Sequence, residues 1–123
     1  MILLFMLFFH IVDDYYLQGI LAKMKQKQWW KDNAPDELYR YDWVVALLMH
    51  ACSWAFMIML PIAYKLGLVL SPSLGIVYSA NVVIHAVTDN LKANKKKISL
   101  VTDQLIHILQ ILYTYIFAVV YLF

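Results

Sequence analysis

Three short stretches of this chain place a histidine and an aspartate four residues apart: His10 with Asp14 in HIVDDYYLQ, His85 with Asp89 in HAVTDNLK, and Asp103 with His107 in TDQLIHILQ. On an α-helix, residues i and i+4 share one face about 5–6 Å apart. Each pair can therefore aim an imidazole and a carboxylate at the same point. His50 completes the histidines of the chain, and Asp13 stands beside Asp14. Imidazole and carboxylate without thiolate suit a divalent ion such as zinc, manganese or iron, and zinc is the leading expectation. The candidate ligands are His10, Asp14, His50, His85, Asp89, Asp103 and His107. With Asp13 they make eight N and O donors, more than one tetrahedral ion uses. Two ions, or one ion with outer carboxylates orienting its histidines, would use them all.

The elements that must position these groups are unusually apolar. The chain is 63% hydrophobic and 15% charged, with a mean hydropathy of +0.67, whereas a soluble domain is nearer half apolar and a quarter charged. The 123 residues suffice for a single domain. Apolar segments run over about 1–22, 43–64, 74–91 and 98–123, each near the ~20 residues that a bilayer requires. The expected fold is all-α: a polytopic bundle of four transmembrane helices, with a short interfacial segment carrying Trp29 and Trp30 between helices 1 and 2. The N-terminus lacks a basic region and a small-residue cleavage site, so it reads as a retained span rather than a signal peptide.

Basic residues set the expected orientation. Lys23, Lys25, Lys27, Lys31 and Arg40 lie in the first loop, Lys92, Lys95, Lys96 and Lys97 in the third, and only Lys65 in the second. Loops one and three then face the cytoplasm and both termini face outward. A net charge of +2 gives no reason to expect nucleic acid as a partner. The partner is the bilayer, and YTYIFAVVYLF at the end of the fourth helix is expected to face lipid or a second copy of the chain in a homo-oligomer. Cys52 is the one cysteine and reads as a small buried hydrophobe.

Counted inward from the cytoplasmic ends at about 1.5 Å per residue, all four segments bring polar groups to one layer. Burial there has a cost. A mid-bilayer aspartate costs about 2.5–3.5 kcal/mol, and four off-centre ones up to about 10 kcal/mol. Bound structural zinc returns about 10–16 kcal/mol in peptides. The competing explanation is interhelical hydrogen bonding, worth about 0.6 kcal/mol per pair. That explanation suffices for Asn81, which stands outside the layer, but it does not require three His/Asp pairs at one depth.

The motifs HxxxDxxxQ (His10, Asp14, Gln18), HxxxDxxK (His85, Asp89, Lys92) and DQxxH (Asp103, Gln104, His107) resemble an uncharacterised family of small integral-membrane proteins of bacteria and their phages. The resemblance covers nearly the whole chain and implies a bacterial inner membrane as its setting. Relatives carry two histidines on the second helix; here His50 is present and Ala46 occupies the position one turn earlier. The family implies the constellation without implying a reaction.

Three functions fit these residues. The first is a metal-dependent hydrolase acting at the cytoplasmic leaflet on a phospholipid, a polyprenyl phosphate or another anionic substrate. Metal-bound water would be the nucleophile and Asp13 or Asp14 the base, while Gln18, Lys23, Lys92 and Gln104 would hold the anionic group. The second is a divalent-cation transporter or channel. The third is a non-enzymatic membrane interaction protein, such as a phage modulator, whose polar core fixes the bundle.

Overall fold

The computed structural model describes all 123 residues, and it is all-helical. Helix α1 spans Ile2–Val12 and continues through a π-helical turn, Asp13–Leu17. Two short helices follow, α2 (Leu21–Met24) and α3 (Lys27–Asn33), then a 3₁₀ turn at Glu37–Tyr39. Three long helices complete the chain: α4 (Asp42–Lys65), α5 (Pro72–Ala93) and α6 (Leu100–Tyr121).

Local chemistry explains the boundaries. Gly19 adopts φ +50°, a left-handed conformation natural to glycine, and there the first segment breaks before α2. Helix α4 ends in a Schellman motif: Gly67 N donates to Tyr64 O at 3.0 Å, and Leu68 N to Ala63 O at 2.8 Å, with Gly67 at φ +75°. Ser71 caps α5, its hydroxyl accepting from Leu74 N at 3.2 Å, with Pro72 in the first turn where its missing N–H does no harm. Ser99 caps α6 in the same way through Thr102 N.

The four long segments form a ring. α4 packs against both α1 and α5, and α6 closes the bundle against α5 and α1. The first and third loops meet at one end, where Asn94 Oδ1 accepts from Lys27 N at 2.8 Å. The termini lie at the other end: Met1 shares a groove with Pro61, Tyr64 and Lys65, and Lys65 Nζ stands 5.2 Å from the Phe123 ring centre.

The bundle has a polar inside and an apolar outside. Of 27 buried residues, 13 are polar or charged, a far larger share than a soluble core holds. Large apolar side chains are instead exposed on every long segment, among them Phe8 and Ile11, Val45 and Phe56, Ile76 and Val83, and Leu105 and Ile116. The apolar part of the core, including Met6, Ala55, Ile58, Ile62, Leu74 and Ala118, fills the end nearer the termini.

Two helices, not four, are long and apolar enough to cross a membrane on their own. They are Glu37–Lys65, 29 residues with mean hydropathy 1.9, and Leu100–Tyr121, 22 residues with 1.5. The other two segments fall short of the expectation for physical reasons. α1 has only 11 α-helical residues and its continuation is interrupted at Gly19. α5 has the length, but Ser79, Asn81, His85, Thr88, Asp89 and Asn90 dilute its apolar run.

Candidate cation site

The cluster sits at the end of the bundle where the basic loops meet. Each i, i+4 pair closes on itself: His10 Nδ1 lies 3.5 Å from Asp14 Oδ2, His85 Nε2 lies 3.6 Å from Asp89 Oδ2, and His107 Nε2 lies 3.4 Å from Asp103 Oδ1. The pairs then meet one another. Asp89 is the hub. Its Oδ2 lies 2.7 Å from His50 Nε2, and its Oδ1 lies 3.4 Å from His107 Nε2. His50 Nε2 is also 3.1 Å from His85 Nε2 and 3.7 Å from Asp14 Oδ1.

Two groups of donors lie close enough to hold an ion, Asp14–His50–His85 and His85–Asp89–His107, and they share His85. The triangle between them, formed by His50 Nε2, His85 Nε2 and Asp89 Oδ2, has edges of 3.1, 3.6 and 2.7 Å. Donors bound to a tetrahedral zinc ion at about 2.0–2.1 Å stand roughly 3.3 Å apart, so these edges bracket the required spacing.

His10 and Asp103 flank the groups and are already engaged. Trp54 Nε1 donates to His10 Nδ1 at 2.8 Å, which leaves the His10 proton on Nε2, 3.1 Å from Gln104 Oε1. Asp103 Oδ2 accepts from Lys92 Nζ at 2.7 Å and from Gln104 Nε2 at 3.1 Å. Asp13 is fully buried and points toward α4, accepting from Ser53 Oγ at 2.7 Å and from the Gln18 amide. Asp13 stands at i+3 and Asp14 at i+4 from His10, so both share its inward face, and the backbone widens into the π-helical turn from Asp13 onward. Gln18, Gln104 and Lys92 thus serve partners within the bundle. Lys23 is exposed and touches no part of the cluster.

The lysine that enters is Lys25. It is only 8% exposed, and its Nζ donates to Asp89 Oδ2 at 2.6 Å and lies 3.1 Å from His50 Nε2. The cause is the break at Gly19. A helix continuing from α1 would set the phase of LAKMKQK, but α2 restarts independently, and Lys25 follows its last turn. Three alternating lysines look alike in the sequence, and nothing local marks the one that turns inward.

Trp54 also escapes sequence reasoning, although it stands four residues after His50 on the same helix face. Its ring stacks on His85, with centroids 4.2 Å apart at 20°, and His85 stacks on His107 at 4.2 Å and 25°. This column fixes the imidazole planes. The Nδ1 atoms of His50, His85 and His107 and the Nε2 of His107 make no hydrogen bond within the protein. A polar seam continues beyond the cluster. Gln110 Nε2 donates to Asn81 Oδ1 at 2.8 Å, and Asn81 Nδ2 donates to Thr114 Oγ1 at 3.0 Å. Cys52 is half-buried and takes no part.

This arrangement defines a class: a helical bundle with an apolar exterior, two membrane-competent helices, and a buried His/Asp cluster of cation-binding spacing. The chain belongs to the family described as Protein of unknown function (DUF3307), which matches residues 2–122. Comparison with curated proteins and with solved structures gives no match.

Proposed function

We propose that the chain is an integral-membrane bundle of four spanning segments whose polar core binds a divalent cation, zinc first and manganese or iron next. The observation that carries this is the convergence of His50, His85 and Asp89, from α4 and α5, at 2.7–3.6 Å, with Asp14 of the π-helical turn and His107 of α6 on either side. Four segments supply lone pairs to one small volume, and a cation compensates their burial directly. The apolar exterior over a half-polar interior supports the lipid setting for α1 and α5 as well. Neither needs to be apolar all round when its polar face is turned inward. In this reading the basic loops lie in the cytoplasm of a bacterium and both termini lie outside. The partners are the bilayer and a second copy of the chain.

As an enzyme, the bundle would hydrolyse a phosphorylated lipid or similar anion at the cytoplasmic leaflet. Asp14 is the better-placed base, because Ser53 and Gln18 already occupy both oxygens of Asp13. One observation favours transport as a second reading. The Gln110–Asn81–Thr114 seam extends the polar core from Asp103 over eleven residues of α6, about 16 Å of helix.

Elemental analysis of the full chain purified in detergent tests the shared claim. The expected result is about one zinc or manganese per chain, lost in His85→Ala and in Asp103→Ala to different degrees. The direct ligand should lose it entirely and the flanking Asp103 partly. Phosphate release from lipid vesicles and zinc uptake into proteoliposomes then separate hydrolysis from transport. A folded wild type that neither carries a metal nor takes one up would reduce the cluster to a structural ion-pair core.

A further inference from the structure

The most unusual member of the cluster is a cation supplied by the chain itself. Lys25 Nζ stands 2.6 Å from Asp89 Oδ2 and 3.1 Å from His50 Nε2, two corners of the donor triangle. An ammonium and a divalent ion cannot both use those lone pairs: each needs the same electron density at a separation of 2–3 Å, and two cations so close repel strongly in a medium of low dielectric. We infer that Lys25 is a tethered competitor, occupying the cation position in this structure and leaving it when a divalent ion binds. This rests on the cation-site reading above and adds to it the residue that sets affinity and selectivity.

The backbone around Lys25 is a short strap between two breaks in the helical path. It is bounded by Gly19, at φ +50°, and by Gln26, where an extended residue separates α2 from α3. Trp30 Nε1 donates to Met24 O at 2.6 Å and α2 packs against α4, and from α5 Asn94 holds the segment as well. Asn94 Nδ2 donates to Lys25 O at 3.1 Å, and Asn94 Oδ1 accepts from Lys27 N at 2.8 Å. One amide side chain thus clips the strap to the helix that carries His85 and Asp89. Lys25 has a long flexible stem close to the basic rim, so withdrawal returns its ammonium to the membrane surface, where lysine is well solvated.

Such a competitor has a defined energetic effect. When only a fraction of molecules has the lysine withdrawn, apparent cation affinity falls by that fraction. With a minor state of about 0.1–10%, removing the competitor tightens binding by about tenfold or more. It also discriminates among cations. A monovalent ion offers no more charge than the ammonium it must displace, whereas a divalent ion does.

The test is zinc titration of the full-length protein in detergent micelles, comparing wild type, Lys25→Met and Asn94→Ala. Lys25→Met is expected to bind zinc about tenfold or more tightly. Asn94→Ala keeps every donor and Lys25 itself, and is expected to tighten binding by a smaller factor; it serves if Lys25→Met does not fold. In the wild type, added zinc should raise labelling of Lys25 by a water-soluble amine-acylating reagent, followed by mass spectrometry, while Lys23 labelling stays constant. Equal or weaker zinc binding in both variants, or Lys25 labelling unchanged by zinc, overturns this inference and leaves the cation site standing. Absence of zinc binding in all three folded proteins overturns both.

Discussion

The two halves of the bundle are built from the same four segments and present the same apolar exterior, yet their interiors are opposite. Near the termini the core is Met6, Ala55, Ile58, Ile62, Leu74 and Ala118. Near the basic loops it is His10, His50, His85, His107, Asp13, Asp89, Asp103 and Lys25. The apolar half shows that close packing alone can hold these helices together. The polar half is therefore more than packing requires, and it carries the desolvation cost of several ionisable groups. Such a core needs compensation, from partners within the bundle such as Lys25 and Lys92 or from a bound cation.

Substitutions can break this contrast or sharpen it. The largest effect is expected from Asp89→Ala. It strands the Lys25 ammonium and removes the partner of His50, costing about 3–5 kcal/mol of stability and abolishing zinc binding. Chemical denaturation in micelles, with and without zinc, would measure both. Ile58→Ala, in the fully buried apolar half, should cost about 2–5 kcal/mol through its cavity while leaving zinc stoichiometry unchanged. Equal loss of zinc in both variants would mean that the halves are not separate. Asn81→Ala removes interhelical bonds to Gln110 and Thr114 and should cost about 0.6–1.7 kcal/mol without altering zinc affinity. Abolished zinc transport in that variant, with binding intact, would favour the seam as a route. Lys23→Met should change stability by less than about 0.5 kcal/mol and leave zinc binding as it was, because only Lys25 of the two faces inward.

Much of this contrast was legible in the residues. The last three helical segments lie within a few residues of their observed ends because Gly67, Pro72 and the lysine runs punctuate them, whereas the first, expected to about residue 22, ends at Leu17. The i, i+4 spacing of the three His/Asp pairs put both groups on one helix face, and the structure brings them together at 3.4–3.6 Å. What could not be read was phase across a break. The restart after Gly19 that buries Lys25 and exposes Lys23 depends on backbone geometry that no periodicity encodes. Nor does spacing reveal which polar groups satisfy one another. Trp54 and Gln104 bond both nitrogens of His10, while Lys92 and Gln104 bond Asp103 Oδ2 and leave its Oδ1 without a hydrogen bond.

The claim that matters most is that His50, His85 and Asp89 coordinate a divalent ion. X-ray absorption at the zinc edge, on the full chain loaded with one equivalent of zinc, tests it most directly. A shell of N and O donors at about 2.0–2.1 Å with outer scattering from at least two imidazoles, lost in His85→Ala, is the predicted result. Sulfur at about 2.3 Å from Cys52, or a spectrum of hydrated zinc that His85→Ala leaves unchanged, would contradict it.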